Sequence, residues 1–353
     1  MSELALFGLN LFGDPVQPPS RGPVAEAFIE PPFSVLDARS GDWQDRKRAW
    51  AAMGIRGEVG RDTNTVPNGT VRSPEQDGCY RRSRSRPILG GSALNNSWQE
   101  KHPECRSGQG VPDAGCSIFD PVVCELVYRW FCPEAGQVVD PFAGGSVRGI
   151  VAGALSRKYW GCDLSAEQIA ANEQQADEIV PTVRPVWVCG DSKDRLADAP
   201  EADFLFTCPP YGDLECYSDN PADLSTMSWT GFSIAYRLIL LRAVQRLRHD
   251  RFACLVVGNF REPGSGLYRD LVSETIAAMR QAGASYYNDA VLITSVGSAS
   301  MRVTKQFNAG RKLCKTHQNV LVFIKGDWRR AVKALGAEPP PAEPAQPDLE
   351  IGQ

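Results

Sequence analysis

Short apolar runs alternate with amphipathic stretches between about residue 113 and residue 330, and this pattern predicts repeated strand–helix units. Seven strands are predicted, at Gln137–Asp140, Lys158–Asp163, Pro185–Cys189, Asp203–Thr207, Phe252–Gly258, Tyr287–Thr294 and Asn319–Lys325. The helices predicted between them are Val122–Phe131, Ser165–Ile179, Phe232–His249 and Tyr268–Ala282. Strands that alternate with helices in this way predict an α/β fold with a doubly wound sheet.

Two of the helix starts carry capping signals. Asp120 precedes Pro121, so that an acidic cap is followed by a proline in the first turn. Ser165 is followed three residues later by Gln168, which is the spacing of a capping box. These signals place the start of each helix directly after a predicted loop.

Composition divides the chain into three zones. Residues 1–112 are rich in proline, glycine, serine and arginine and form an N-terminal extension, with one short helix predicted at Asp42–Met53. Residues 113–330 form the α/β domain, and residues 331–353 form a tail. From Gly336 onward the chain has five prolines in 18 residues and very little apolar content, so we expect this tail to be disordered.

The overall composition is that of a globular protein, with 42% hydrophobic and 23% charged residues over 353 positions. The longest apolar stretch, Ile234–Val244, is interrupted by polar residues, and the N-terminus has no secretory signal pattern. We therefore expect a cytoplasmic protein with no membrane partner. Eleven cysteines, an odd number, fit reduced thiols and no bound metal, although His102, Cys105 and Cys116 could form a zinc site.

The net charge of −4 hides two basic stretches. Arg39–Arg86 contains eleven Arg/Lys and six Asp/Glu, and Val291–Lys325 contains six Arg/Lys and no acidic residue. Each stretch is either a solvated face or one side of a phosphate-facing cleft, and composition alone does not choose between the two.

Polar residues and glycines follow three consecutive strands. The first strand runs into Asp140-Pro-Phe-Ala-Gly-Gly-Ser146, in which paired glycines allow a ligand to approach the backbone at a strand-to-helix turn. The second strand ends at Asp163 and the third at Cys189-Gly-Asp191. Ligands of α/β sheets bind at the carboxyl ends of the strands, so three such ends in a row favour a nucleoside-like ligand, although each acid could be a simple helix cap.

The fourth strand runs into Thr207-Cys-Pro-Pro-Tyr211. Proline removes an N–H and fixes the backbone, which leaves the carbonyls of Cys208 and Pro209 available to a ligand. Tyr211 then offers a flat ring for stacking. The alternative is a structural Pro-Pro turn that is closed by a buried tyrosine.

These motifs together resemble the S-adenosylmethionine-dependent DNA amino-methyltransferases, which modify N6 of adenine or N4 of cytosine. The resemblance extends from about Ser117 to Lys325. The combined pattern of motifs is also similar to that of methylases encoded by phages and prophages. Asp140–Ser146 resembles the cofactor loop of the family, and Thr207–Tyr211 resembles its catalytic tetrapeptide. Lys315–Lys325 resembles a late strand of these enzymes. The resemblance implies a seven-stranded Rossmann-like methyltransferase sheet, S-adenosylmethionine as the cofactor and double-stranded DNA as the partner.

The resemblance also implies residue roles. The methionine and ribose side of the cofactor is lined by Phe119, Asp140, Phe142, Gly144 and Gly145, the ribose hydroxyls are held by Asp163, and the adenine amino group is faced by Asp191. The target base is held by the catalytic loop Cys208, Pro209, Pro210 and Tyr211, with the ring of Tyr211 rather than its hydroxyl in use. The chain departs from the family in reading Gly-Gly-Ser in the cofactor loop and in having Cys208, a weak acceptor, where Asp, Asn or Ser is usual.

The expected reaction is methyl transfer to the exocyclic amino group of a base that has been flipped out of the duplex. The order of motifs resembles the group in which target recognition lies outside the core, so residues 1–112 are the expected recognition region. A basic loop between the two last strands is expected to follow the phosphate backbone. The basic residues of this loop are Arg302, Lys305, Arg311, Lys312 and Lys315, and Arg81–Arg86 is expected to contact the other side of the DNA. The alternatives are an RNA or protein-glutamine methyltransferase and a non-catalytic nucleic-acid-binding module. The base, the recognition sequence and the oligomeric state are left open.

Overall fold

The computed structural model describes residues 28–56 and 119–336, apart from residues 181, 213–216, 219, 263 and 297–298. Its strands are β1 (Val35–Asp37), β2 (Gln137–Asp140), β3 (Lys158–Asp163), β4 (Val186–Cys189), β5 (Phe204–Thr207), β6 (Arg251–Val257), β7 (Phe260–Arg261), β8 (Tyr268–Arg269), β9 (Ser285–Ile293) and β10 (His317–Lys325). Its α-helices are α1 (Gly41–Ala52), α2 (Pro121–Phe131), α3 (Val147–Ala154), α4 (Ala166–Ile179), α5 (Ser192–Arg195), α6 (Trp229–Arg246), α7 (Leu271–Gln281), α8 (Ala299–Gly310) and α9 (Trp328–Leu335).

One eight-stranded sheet organises the described chain, in the order β1-β9-β10-β6-β5-β2-β3-β4. Neighbouring strands are parallel except that β10 runs antiparallel to both β6 and β9. Strands β7 and β8 form a separate two-stranded ribbon. The predicted α/β class and doubly wound sheet are therefore confirmed, with one strand more than the seven expected.

The additional strand comes from the N-terminal zone. The three residues of β1 pair in parallel with β9, so that Val35 lies opposite Val291. Helix α1 packs beside α2, where Trp50 donates from Nε1 to Glu125 Oε2 (2.9 Å) and Arg46 forms a buried ion pair with the same carboxylate. A strand of three residues is too short for an apolar pattern to reveal it, and only the pairing with β9 defines it.

The core consists of two clusters, one on each face of the sheet. Adjacent residues of one strand contribute to opposite clusters: Val138 packs into one and Val139 into the other, and Cys254 and Leu255 divide in the same way. Because the central strands are buried on both faces, they read as continuous apolar runs rather than as alternating ones. This explains why the sequence pattern identified them within a residue or two.

Three segments differ from the prediction. The basic segment expected to be a loop contains helix α8, since residues 299–309 include no glycine or proline. The helix expected from Tyr268 begins at Leu271, because Asp270 is its cap and accepts a hydrogen bond from Ser273 N (3.3 Å). Helix α9 continues to Leu335, past residue 330, where the tail was expected to begin; residues 337–353 lie outside the described residues. Among the described helices, none is long and apolar enough to cross a membrane.

Candidate active site

The carboxyl ends of β2, β3, β4 and β5 open into one cavity of about 1080 Å³. The loops that follow these four strands all contribute to its wall, and so do α1, the start of α2 and the segment that leads into β10. Most of the predicted site residues meet here. The cavity is lined by Phe119, Phe142, Gly144, Gly145, Asp163, Asp191, Cys208, Pro209, Pro210, Tyr211 and Lys315.

Asp140, which was expected to contact the cofactor, does not line this cavity. Its side chain is fully buried at the end of β2 and accepts four hydrogen bonds. Oδ1 accepts from Phe142 N (3.1 Å) and Thr207 Oγ1 (2.5 Å), while Oδ2 accepts from Tyr159 OH (2.7 Å) and Arg148 Nε (2.6 Å). Because these donors occupy both oxygens, Asp140 ties together β2, β3, β5 and α3 beneath the cavity.

Arg148, on the first turn of α3, connects Asp140 to the cofactor loop. Its Nη2 donates to the carbonyls of Phe142 (2.5 Å) and Ala143 (2.9 Å), and its guanidinium lies 4.7 Å from the centre of the Phe119 ring. The side chain is 6% exposed, yet Arg148 lines the cavity. The adjacent Asp140 raises the pKa of this guanidinium against the opposing effect of burial, so Arg148 is a permanent buried cation.

The glycine turn is held by Asp163. Gly144 has a φ of +52°, in the left-handed region that favours glycine, and its N–H donates to Asp163 Oδ2 (2.9 Å). Asp163 Oδ1 accepts from Ser165 N (2.9 Å), and the Gly144 carbonyl accepts from Asn172 Nδ2 (2.8 Å). The carboxylate that ends β3 therefore fixes the shape of the loop that ends β2, in addition to facing the cavity.

Asp191 caps α5 at the end of β4. Its Oδ1 accepts from Lys193 N (2.9 Å) and its Oδ2 lies 3.0 Å from Lys193 Nζ. Next to it, Ser192 Oγ donates to the carbonyl of Pro141 (2.5 Å), which links this loop to the loop after β2. Three consecutive strand ends are thus joined by side-chain hydrogen bonds, and Asp163 and Asp191 lie on the shared wall.

The Cys208–Tyr211 loop, the predicted catalytic loop, follows β5 directly. Tyr211 is half-buried, and its hydroxyl accepts a hydrogen bond from Gln318 Nε2 (2.7 Å) and lies 3.8 Å from Cys208 Sγ. Burial, with the neighbouring Cys208 thiol, raises the pKa of the Tyr211 hydroxyl well above its ordinary value, so it remains protonated. The expectation that only the ring is used is therefore incomplete, because the hydroxyl is bonded within the protein.

The segment that leads into β10 brings two basic side chains to the cavity near the Cys208–Tyr211 loop. Lys315 and His317 both line the cavity, and Lys315 Nζ donates to Asn319 Oδ1 (3.3 Å). Burial lowers the pKa of Lys315, and burial together with Lys315 lowers the pKa of His317. Lys315 is a cation of the cavity wall at this end, whereas Asp163 and Asp191 are carboxylates of the wall at the ends of β3 and β4.

The other predicted phosphate-binding residues lie outside the cavity. Lys305 on α8 and Arg311 after it are exposed, and Lys312 is partly exposed near Gly266. The Arg302 side chain, Arg81–Arg86 and the alternative zinc ligands lie outside the described residues. Within the described part of the chain, no group of three or more His, Cys, Asp or Glu side chains is arranged to hold a metal ion.

The site residues that were not predicted include Arg148 and Gln318. Arg148 has a sequence signal that could have found it, because a charged residue in the first turn of an otherwise apolar helix needs a buried partner. Gln318 has no such signal, since its contact with Tyr211 spans 107 positions of the chain.

No protein-family model and no curated protein matches the chain. Among solved structures it is similar to TrmN from Thermus thermophilus, with 16% identity, 82% of this chain and 80% of that chain covered, and a TM-score of 0.40. It is also similar to a TehB-like SAM-dependent methyltransferase from Corynebacterium glutamicum, with 14% identity, 67% and 100% coverage, and a TM-score of 0.36. A third is the magnesium protoporphyrin IX methyltransferase from Synechocystis PCC 6803, solved with bound SAM, with 11% identity, 74% and 100% coverage, and a TM-score of 0.39. These likenesses concern the fold, and the site must be judged from its own residues.

Proposed function

We propose that this protein transfers a methyl group from S-adenosylmethionine to the exocyclic amino group of a base flipped out of double-stranded DNA, at N6 of adenine or N4 of cytosine. One observation carries the proposal. A single cavity joins the glycine turn and strand-end acids of β2–β4 to the Cys208–Tyr211 loop after β5. A nucleoside cofactor and the flat ring of a target base can therefore bind next to each other in this cavity.

The residues present fit the cofactor. Gly144 and Gly145 present backbone without side chains, which leaves room for close approach to the loop. The carboxylates of Asp163 and Asp191 are acceptors suited to ribose hydroxyls and to an amino group. Phe119 and Phe142 supply apolar wall beside them. When bound, S-adenosylmethionine supplies an electrophilic methyl group on a sulfonium.

The catalytic loop fits a flat aromatic amine. The Tyr211 ring offers a stacking surface whose orientation is set by the bond from Gln318 to its hydroxyl. The carbonyls of Cys208 and Pro209 are candidate acceptors for the two N–H bonds of the amino group. The lone pair of such an amine is delocalised into its ring, so two acceptors that pull on these bonds favour a pyramidal nitrogen. Positioning then supplies much of the acceleration.

The electrostatics of the cavity support a nucleic-acid substrate over a protein one. Lys315 and His317 line the cavity at the catalytic loop, and the stretch 291–325 to which they belong contains no acidic residue. Lys305, Arg311 and Lys312 extend this basic character along α8 and the segment after it. A phosphate backbone that leads to the cavity would be attracted along its whole approach.

Methyl incorporation from labelled S-adenosylmethionine into duplex DNA, structured RNA and protein tests the proposal. We expect label in DNA as an acid-stable methylated base, and loss of that label in Tyr211→Ala. A matched control is Tyr268→Ala, which removes an exposed tyrosine outside the cavity. Label in RNA would instead identify an RNA methyltransferase, and label in glutamine side chains would identify a protein-glutamine methyltransferase. DNA binding without incorporation into any substrate would favour the non-catalytic module.

A further inference from the structure

The part of the cavity beside Phe119 contains a buried cation whose hydrogen-bonding capacity is only partly used. Arg148 Nε bonds to Asp140, and its Nη2 bonds to two loop carbonyls. The remaining nitrogen, Nη1, carries two N–H donors and makes no hydrogen bond with the described part of the chain. Because Arg148 lines the cavity, these two N–H groups are donors that a ligand acceptor can reach.

The orientation of the guanidinium is fixed before any ligand binds. The Phe119 ring covers one face at 4.7 Å, and the three bonds to Asp140, Phe142 and Ala143 hold the edge that faces the protein. A planar, delocalised cation held in this way presents Nη1 at a fixed position, where an anionic oxygen can accept a charge-assisted hydrogen bond. A lysine ammonium would lack this geometry.

Charge also selects the kind of group that fits here. The wall formed by Asp163 and Asp191 is suited to ligand donors, whereas Arg148 is suited to a ligand anion. Lys47 is another cation in this part of the cavity, and like Arg148 it is paired with a carboxylate, that of Asp120 (3.0 Å), but its side chain is 41% exposed. Lys315 belongs to the opposite end, beside the catalytic loop. Arg148 is therefore the desolvated cation next to the glycine turn.

We propose that Arg148 is the receptor for the carboxylate of the cofactor's amino-acid half. The proposal rests on the proposed function, because it assumes S-adenosylmethionine as the ligand, and it adds the residue that distinguishes this cofactor from nucleosides without a carboxylate. The competing role for Arg148 is purely structural, as a clasp on the Phe142 and Ala143 carbonyls.

Calorimetry with three ligands separates the two roles. S-adenosylmethionine carries the carboxylate, decarboxylated S-adenosylmethionine lacks only that group, and 5′-methylthioadenosine lacks the entire amino-acid half. We expect the wild-type protein to bind S-adenosylmethionine at least about tenfold more tightly than the decarboxylated form, which is the range for a charge-assisted hydrogen bond. Equal affinity for the two would overturn the proposal without any variant. Absence of binding to all three would instead overturn the proposed function.

Variants then locate the effect. Arg148→Gln should bring the affinities for S-adenosylmethionine and its decarboxylated form together while 5′-methylthioadenosine binds as before. Lys47→Met, which removes the same charge from the same cavity, should preserve the wild-type ratio. If Arg148→Gln also loses 5′-methylthioadenosine, Arg148→Lys is measured, because it keeps the charge and loses the paired donors. An undiminished preference for the carboxylate in a variant that still binds 5′-methylthioadenosine would overturn the proposal.

Discussion

The two ends of the cavity are built in different ways. At the end proposed for the cofactor, the polar groups belong to three consecutive strand ends, and each is bonded to backbone close to it in the fold, as Asp163 is to Gly144 N and Ser165 N. At the end proposed for the target base, Tyr211 depends on Gln318, which lies 107 positions away. One end is therefore held by contacts between neighbouring strand ends, and the other by a contact between segments that are far apart in the chain.

The ends also differ in charge and in how that charge is held. The carboxylates of Asp163 and Asp191 face the first end, and each accepts a hydrogen bond from a backbone N–H. Lys315 and His317 face the second end, and burial lowers the pKa of both. Under the proposed function, donors of the cofactor's nucleoside would meet the carboxylates of the first end, and a phosphate of the nucleic acid would meet Lys315 at the second.

The largest effect is expected beneath the cofactor end. Asp140→Ala leaves the Arg148 guanidinium buried without its carboxylate, and loss of one partner of a buried ion pair costs about 3–5 kcal/mol. We expect the free energy of unfolding, measured by urea denaturation, to fall by that amount. Asp177→Ala, which breaks an exposed pair with Arg184, is the control and should change it by less than about 1 kcal/mol. Similar values for the two variants would refute the role given to Asp140.

The second-largest effect is expected on ligand binding at the proposed cofactor end. Asp163→Ala removes a carboxylate that is proposed to hold the ribose and that also orients Gly144. Hydrogen bonds to charged groups contribute about 1.5–3 kcal/mol each, so binding of S-adenosylmethionine, measured by calorimetry, should weaken at least about tenfold. Asp198→Ala, an exposed acid outside the cavity, should bind as the wild type does. A folded Asp163→Ala protein with unchanged affinity would contradict the assignment.

A smaller effect is expected at the target end. Tyr211→Ala should weaken binding of DNA that contains an abasic or mismatched target by about 1–3 kcal/mol, the range for a base stacked on an aromatic ring. Tyr211→Phe keeps the ring but leaves the Gln318 amide without its acceptor. Its affinity for this DNA should therefore lie between those of the wild type and Tyr211→Ala. Gln318→Leu should match Tyr211→Phe. If Tyr211→Phe were as damaging as Tyr211→Ala, the hydroxyl would have a direct role with the substrate.

The smallest effect concerns the basic segment outside the cavity. Arg311 and Lys312 are proposed to contact phosphates, and each contact contributes about −0.9 to the slope of log affinity against log salt on duplex DNA. Replacing both with Gln should flatten this slope by about two units while the preference among sequences is kept, because backbone contacts position rather than specify. Affinities measured at several salt concentrations test this, and an unchanged slope would make the segment a solvated surface.

Much of the fold could be predicted because its central strands are buried on both faces. Gln137–Asp140 and Lys158–Asp163 were predicted with their observed bounds, and capping residues marked the starts of α2 and α4. The prediction was wrong about the basic segment, where a loop was expected and α8 is found. It also missed β1, whose three residues carry too little pattern to stand out from irregular chain.

The sequence by itself determined what depends on neighbours along the chain: the strand ends, the glycine turn, the helix caps and the Pro-Pro-Tyr loop. These features follow from backbone preferences and burial, which act over a few residues. Only the tertiary structure decided that Asp140 lies below the cavity, that Arg148 reaches it, and that Gln318 holds Tyr211. Those outcomes depend on which strands are adjacent in the sheet. The insertion of β10 between β6 and β9 brings the last strand of the chain to the loop after β5, and no local pattern encodes that distance.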